Sequence, residues 1–235
     1  MRMRISSIAT VLLLIAVPAT PVSPKEALAA VLARMDKAAG EFRSMTAEVV
    51  YVTHTDVINE DSTDSGSVTM QKMRSDEVRG LINILTPDKK TVAFENRRLR
   101  IYFPKIKTVQ EYKLDKFGEQ LDQFLMIGFG TSGMSLAKDY GVTVLGSETL
   151  KGPEAVATIR LRLIPKSQQA RDLVKQFDLW VPETGDPYPL QEKISQPSGD
   201  YRLITYSNMK TNQPLKADAL QLNLPRGVKT EHPGQ

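Results

Sequence analysis

One pattern restricts the fold of this chain more than any other: short runs in which every second residue is apolar, each closed by turn-forming residues. Met45, Ala47, Val49 and Tyr51 are apolar while Thr46 and Glu48 between them are polar, and a period of two puts alternate side chains on one face of a strand. After a polar, turn-rich stretch from Asn59 to Gly66, Val68 and Met70 alternate with Thr69 and Gln71. Strands are then predicted at Val78–Leu85, Lys90–Glu95, Leu99–Phe103 and Thr108–Leu114, with Thr86-Pro87-Asp88, Asn96-Arg97 and Pro104 between them. The pattern resumes at Tyr140–Ser147, Ala155–Pro165, Gln176–Val181, Leu190–Pro197 and Tyr201–Ser207, with a last edge strand expected at Ala219–Leu224. Short strands joined by short turns predict an antiparallel meander, and a sheet of that size curls under its own twist. The expected fold class is mainly β, with covering helices.

Helical spacing occurs in a few places. Ser23-Pro24-Lys25-Glu26 reads as a capping box with proline at the first helical position. Leu28, Val31, Leu32, Met35, Ala39 and Phe42 then form one apolar stripe. Residues 119–127 place Leu121, Phe124 and Leu125 on one helical face, and Gly128, Gly130 and Gly133 follow. This segment is expected to be a lid over an apolar cavity with the glycines as its hinge; the alternative is a static cap on the barrel end. Short helices are expected at Met134–Lys138 and Ser167–Asp172. Neither an internal repeat nor a linker to a second domain is visible. Alternation selects Ala47, Val49, Val68, Met70, Ile82, Ile84 and Ile101 as the cavity lining, with the face of Ile82 and Ile84 undetermined by the pattern alone.

The first residues carry an address. Met1-Arg2-Met3-Arg4 is basic, Ile5 to Val17 is apolar, and Val17-Pro18-Ala19 supplies small residues for signal peptidase. The apolar run is shorter than the roughly 20 residues of a spanning helix, so residues 1–19 are expected to be a cleaved signal peptide. A domain over residues 20–229 and a disordered tail over residues 230–235 are expected to follow. Loss of Arg2 and Arg4 lowers the formal charge from +4 to +2, and the charges are interspersed, so no nucleic-acid partner is expected. There is no cysteine, which rules out disulfides and an acylated N-terminal cysteine in this sequence; a packed core must hold the fold.

Catalytic and metal chemistry have few residues to draw on. The only histidines are His54 and His232, and no metal site is expected. The loop from Asp56 to Asp64 lacks the central glycine of a calcium loop. Gly128-x-Gly130-x-x-Gly133 matches the dinucleotide fingerprint, but an amphipathic helix precedes it where a strand of a βαβ unit is required. Neither enzymatic activity nor a cofactor is expected.

Four segments, in order, resemble the outer-membrane lipoprotein carrier family (LolA-like). They are the helix leading into Thr46-Ala47-Glu48-Val49, then Arg98-Leu99-Arg100-Ile101-Tyr102-Phe103-Pro104, then Leu179-Trp180-Val181-Pro182-Glu183-Thr184-Gly185-x-Pro187, and Tyr206-Ser207-Asn208-Met209-Lys210-Thr211-Asn212 through Leu224-Pro225-Arg226-Gly227-Val228. The resemblance covers residues 25 to 229. It implies a single-domain incomplete antiparallel β-barrel with helices over its concave face. It also implies a periplasmic carrier, expected to be a monomer, that takes acylated lipoproteins from an inner-membrane ATP-driven extractor to an outer-membrane acceptor. The family's buried lid-closing arginine falls here at Lys72, with Arg74 two positions on, a departure because lysine lacks the planar fork of arginine. A periplasmic lipid-binding sensor or regulatory module of the same fold, or a carrier of another lipid, is the competing reading.

Overall fold

A computed structural model describes residues 24–73, 78–114, 126–152 and 154–233. Helix α1, Pro24–Glu41, carries the predicted stripe and buries Val31, Met35, Ala38 and Ala39, with Phe42 just beyond its end. The strands that follow are β1 (Ser44–Thr55), β2 (Glu60–Lys72), β3 (Val78–Thr86), β4 (Lys90–Glu95), β5 (Arg98–Phe103) and β6 (Thr108–Lys113). Helix α2, Gly133–Asp139, precedes β7 (Tyr140–Leu150) and β8 (Val156–Pro165); helix α3, Gln168–Leu173, precedes β9 (Gln176–Pro182). The chain continues through β10 (Gln191–Ser195), β11 (Tyr201–Thr211) and β12 (Lys229–Glu231). Both short helices start on a serine cap: Ser132 Oγ accepts from the Ser135 N–H at 3.0 Å, and Ser167 Oγ from that of Ala170 at 3.2 Å.

Among the described residues, all the strands form one 12-stranded sheet in the order β12-β6-β5-β4-β3-β2-β1-β11-β10-β9-β8-β7. Its two edges, β12 and β7, do not pair with each other, so the sheet is open. Every pairing among these described strands is antiparallel except β12 with β6, which is parallel. The mainly β architecture with helices is what the strand period implied, and the unclosed sheet is what the family resemblance implied.

α1 holds the two halves of the inner face together. Its Val31 and Met35 join Leu161, Leu163, Phe177, Leu179 and Val181 of β8 and β9, while Ala38 and Phe42 join Met45, Ala47, Val49, Val68 and Met70 of β1 and β2. Arg34 on the same helix donates to the carbonyls of Pro182 (2.6 Å), Glu183 (2.7 Å) and Gly185 (3.3 Å), which fastens α1 to the turn after β9. On the outer face, Asp178, only 1% exposed, accepts from Arg162 Nε at 2.8 Å and Arg160 Nη2 at 2.8 Å. Burial alone would raise this carboxyl, but the hydrogen bonds from Arg162 and Arg160 hold it below the usual carboxylate range.

Three expectations need correction. The polar stretch Asn59–Gly66 is not a long loop: a single turn at Asp56–Ile58 ends on Asn59 (φ 50°), and β2 starts at Glu60. That end of the hairpin projects past the core, so its residues are polar although they are paired. Ala219–Leu224 is not a strand. Leu220 and Leu222 alternate because they lie on the outer face, against Leu81, Ala93, Tyr102 and Val109, with Leu215 and Val228 beside them. Thr230 and Glu231, assigned to a disordered tail, pair with Val109 and Gln110 of β6. Backbone hydrogen bonds to an otherwise open edge order them despite their polar side chains.

Candidate functional site

Strand register assembles the proposed lining into rows. Ala47 of β1 stands opposite Val68 of β2, Val68 opposite Ile82 of β3, Ile82 opposite Val92 of β4, and Val92 opposite Ile101 of β5. Val49, Gly66 and Ile84 form the neighbouring row on one side; Met45, Met70, Gly80, Phe94 and Leu99 form the row on the other. Alternation across paired strands keeps all these residues on the face that α1 covers. Ala47, Val49, Val68, Met70, Ile82, Ile84 and Ile101 therefore share one surface, and Ile82 and Ile84 point to the same side as Val68. Gly80 is needed there: a side chain on it would begin 2.2 Å from the Phe94 ring, which lies across it.

Burial grades along this surface. Ala47, Val49, Val68, Met70 and Ile84 are buried, whereas Ile82, Val92, Leu99 and Ile101 are half-buried. Beyond Ile84 and Ile101, the next positions on the same face are Phe103 and, opposite Ile84, Lys90. Both line a recess of about 700 Å³ together with Pro87, Asp88, Lys89, Pro104, Lys105 and Ile106. An apolar floor leading to an opening rimmed by lysines suits an alkyl chain with a polar head.

The expected lid residues Leu121, Phe124 and Leu125 lie outside the described residues, as does Arg74. What is described begins at Met126. Its carbonyl accepts from the N–H groups of Phe129 (3.0 Å), Gly130 (3.0 Å) and Thr131 (3.1 Å) and from Thr131 Oγ1 (2.9 Å), forming a tight turn. Phe129 buries itself in that turn against Phe42 (ring centroids 6.3 Å apart), Tyr188 (6.1 Å) and Tyr206 (5.3 Å). Of the three expected hinge glycines, only Gly128 has a backbone angle that favours glycine (φ 83°). Gly133 serves another purpose: a side chain there would begin 2.2 Å from the Leu32 carbonyl oxygen of α1, and at Gly130 it would collide with Met126. Lys72 ends β2, half-buried on the inner face, and its N–H donates to the Arg43 carbonyl at 2.9 Å.

A polar group lies under this turn that sequence reasoning missed. Glu192 stands opposite Ile204 on β11 and Leu179 on β9, and Ile204 in turn stands opposite Tyr51 on β1. It is 7% exposed; Oε2 accepts from the Tyr206 hydroxyl at 3.3 Å, and among the described residues Oε1 has no partner. Burial pushes its carboxyl up to about 8, and the Tyr206 hydrogen bond offsets little of that. Burial likewise raises the hydroxyls of Tyr206 and Tyr51 above their ordinary range. The signal was present in the strand period, since Glu192 falls in phase with Leu190 and Ile194, where an apolar residue is expected.

Among the described residues no histidine, cysteine, aspartate and glutamate cluster could hold a metal, and no helix is long and apolar enough to cross a membrane. No protein-family model and no curated protein matches the sequence. Solved structures do. The lipoprotein LppX of Mycobacterium tuberculosis is similar at a TM-score of 0.51 and 12% identity, over 82% of this chain and 98% of that one. An uncharacterized conserved protein from Thermus thermophilus is similar at a TM-score of 0.51 and 12% identity, over 87% of this chain and 98% of that one. A LolA superfamily protein from Nitrosomonas europaea is similar at a TM-score of 0.41 and 14% identity, over 86% of this chain and 99% of that one. By fold, this chain is an open, mainly antiparallel sheet with covering helices, similar to the fold of LppX.

Proposed function

We propose that this chain is a periplasmic carrier that shelters acyl chains of lipoproteins on its inner face and moves them from an inner-membrane extractor to an outer-membrane acceptor. The observation that carries the reading is the row Ala47–Val68–Ile82–Val92–Ile101, apolar from its buried centre to its half-buried end on an unclosed sheet. Supporting it are the export segment at residues 1–19, the four carrier-family motifs and the fold shared with a lipoprotein. Each buried methylene contributes about 0.8 kcal/mol, so an acyl chain crosses water only if something covers it. Opening the seal needs no chemistry, because acyl chains take over the contacts that Met126 and Phe129 make when the face is empty.

The delipidated protein is expected to bind an apolar fluorescent dye and to release it to a triacylated lipopeptide. Ile101→Asp and Met70→Asp are each expected to weaken dye binding by roughly tenfold or more, because a carboxylate is placed against alkyl surface. Dye titration of the folded variants checks this. Binding that is unchanged in both variants would remove this surface from consideration.

A further inference from the structure

At the level of Tyr51 the inner face changes character. Glu192 sits between Ile204 and Leu179 on neighbouring strands, with Tyr206 and Tyr51 as the titratable groups facing it from β11 and β1. We infer that Glu192 is the receptor for the carbonyl oxygen at the head of a bound acyl chain, its Oε1 hydroxyl donating to the ester or amide that joins the chain to its cargo. This role rests on the acyl-chain reading above and names the group that this surface recognises.

Hydrogen bonds locate the proton. Among the described residues no lysine or arginine pairs with Glu192, and a lone buried carboxyl sheds its charge by keeping its proton. The Tyr206 hydroxyl is the partner of Oε2, so Oε1 is the oxygen left to donate the carboxyl proton to a ligand. Oε1 is the atom without a partner, and it lies 3.4 Å from the point where a side chain on Gly128 would begin. The site therefore presents a neutral donor towards the Met126–Gly130 turn, in apolar surroundings. An ester or amide carbonyl matches that donor without bringing charge. An ammonium head supplies donors only and would require the carboxyl to ionise. An alkyl chain without a carbonyl leaves the donor unmet. In the empty protein the unmet donor is unfavourable, so a ligand that displaces the turn and satisfies Oε1 gains a hydrogen bond the closed form lacks.

The test compares 1-palmitoyl lysophosphatidylglycerol with its 1-O-hexadecyl ether counterpart, which differs only in the carbonyl. Both are titrated into the delipidated full chain at about pH 6, where a carboxyl that titrates near 8 holds its proton. The ester is expected to bind about tenfold more tightly than the ether, the usual effect of one buried hydrogen bond. Glu192→Leu should bring that ratio to one, and Glu192→Gln, whose amide N–H also donates, should preserve it. Glu192→Asp, one methylene too short, should lose the preference as well and decides the matter if the leucine variant does not fold. Equal binding of both probes by the wild type, or a preference that survives in Glu192→Leu or Glu192→Asp, overturns the receptor and leaves the carrier reading standing. Failure of the wild type to bind either probe overturns the carrier reading itself.

Discussion

Exchanging Glu192 for glutamine is expected to stabilise the protein above pH 8 by on the order of 3 to 5 kcal/mol and to change little near pH 4. The sign follows from the raised carboxyl, which titrates near 8 in the folded chain against an ordinary 4.5. Below the ordinary value, folded and unfolded chains both hold the proton, and the group contributes no penalty. Between the two values only the folded chain holds it, so folding becomes less favourable as pH rises. Above about 8 both forms are ionised and the penalty is constant. Tyr206 and Tyr51, raised above their ordinary values, stay neutral throughout that window and add no slope of their own. Urea unfolding of both proteins across this pH range measures the difference. Wild-type and variant curves that run parallel would show that Glu192 is ionised in the fold.

Phe42→Ala is the substitution expected to cost most among the apolar contacts, about 3 to 5 kcal/mol. Phe42 is 0% exposed and closes the end of α1, its N–H donating to the Ala38 carbonyl at 2.8 Å. Its ring meets Phe129 and Tyr188, so truncation leaves a cavity where the helix, the 126–130 turn and the β9–β10 connection come together. By contrast, Ile101→Ala removes a half-buried side chain at the far end of the row and is expected to cost about 1 kcal/mol or less. Denaturant midpoints of the two variants separate the seal from the binding surface. A Phe42→Ala loss as small as that of Ile101→Ala would mean that α1 does not seal the inner face.

The strand period made most of the sheet legible, because one side of each strand from β1 to β11 must be apolar wherever helices cover it. It could not settle β3, where Leu81 is as apolar as Ile82 and Ile84. The reason is tertiary: Leu81 lies under the C-terminal segment, against Leu220 and Leu222, so both faces of that strand are covered. The same segment misled the reading of Ala219–Leu224, since lying on a sheet and belonging to one produce the same alternation. The site was legible as a surface and illegible as chemistry. Ala47, Val49, Val68, Met70 and Ile101 follow from alternation, and the two hairpins that set Ile82 opposite Val92 and Val92 opposite Ile101 bring them into one row. Glu192 broke the pattern in plain view. What distinguishes it from a solvated acid is the neighbour on β11, Tyr206, and the turn above it, neither of which its own segment encodes. Arg34 is similar, a surface-looking helix residue whose three carbonyl partners come from the last residue of β9 and the turn that follows it.

The central claim, that the inner face holds acyl chains, is tested most directly by photolabelling. A triacylated lipopeptide carrying a diazirine near one chain end is bound to the delipidated protein, irradiated and mapped by peptide mass spectrometry. Adducts are expected in β2, β3 and β5, at Met70, Ile82 and Ile101, abolished by excess unlabelled lipopeptide. Adducts confined to the outer-face segment between Leu215 and Val228, or insensitive to competitor, would contradict the claim.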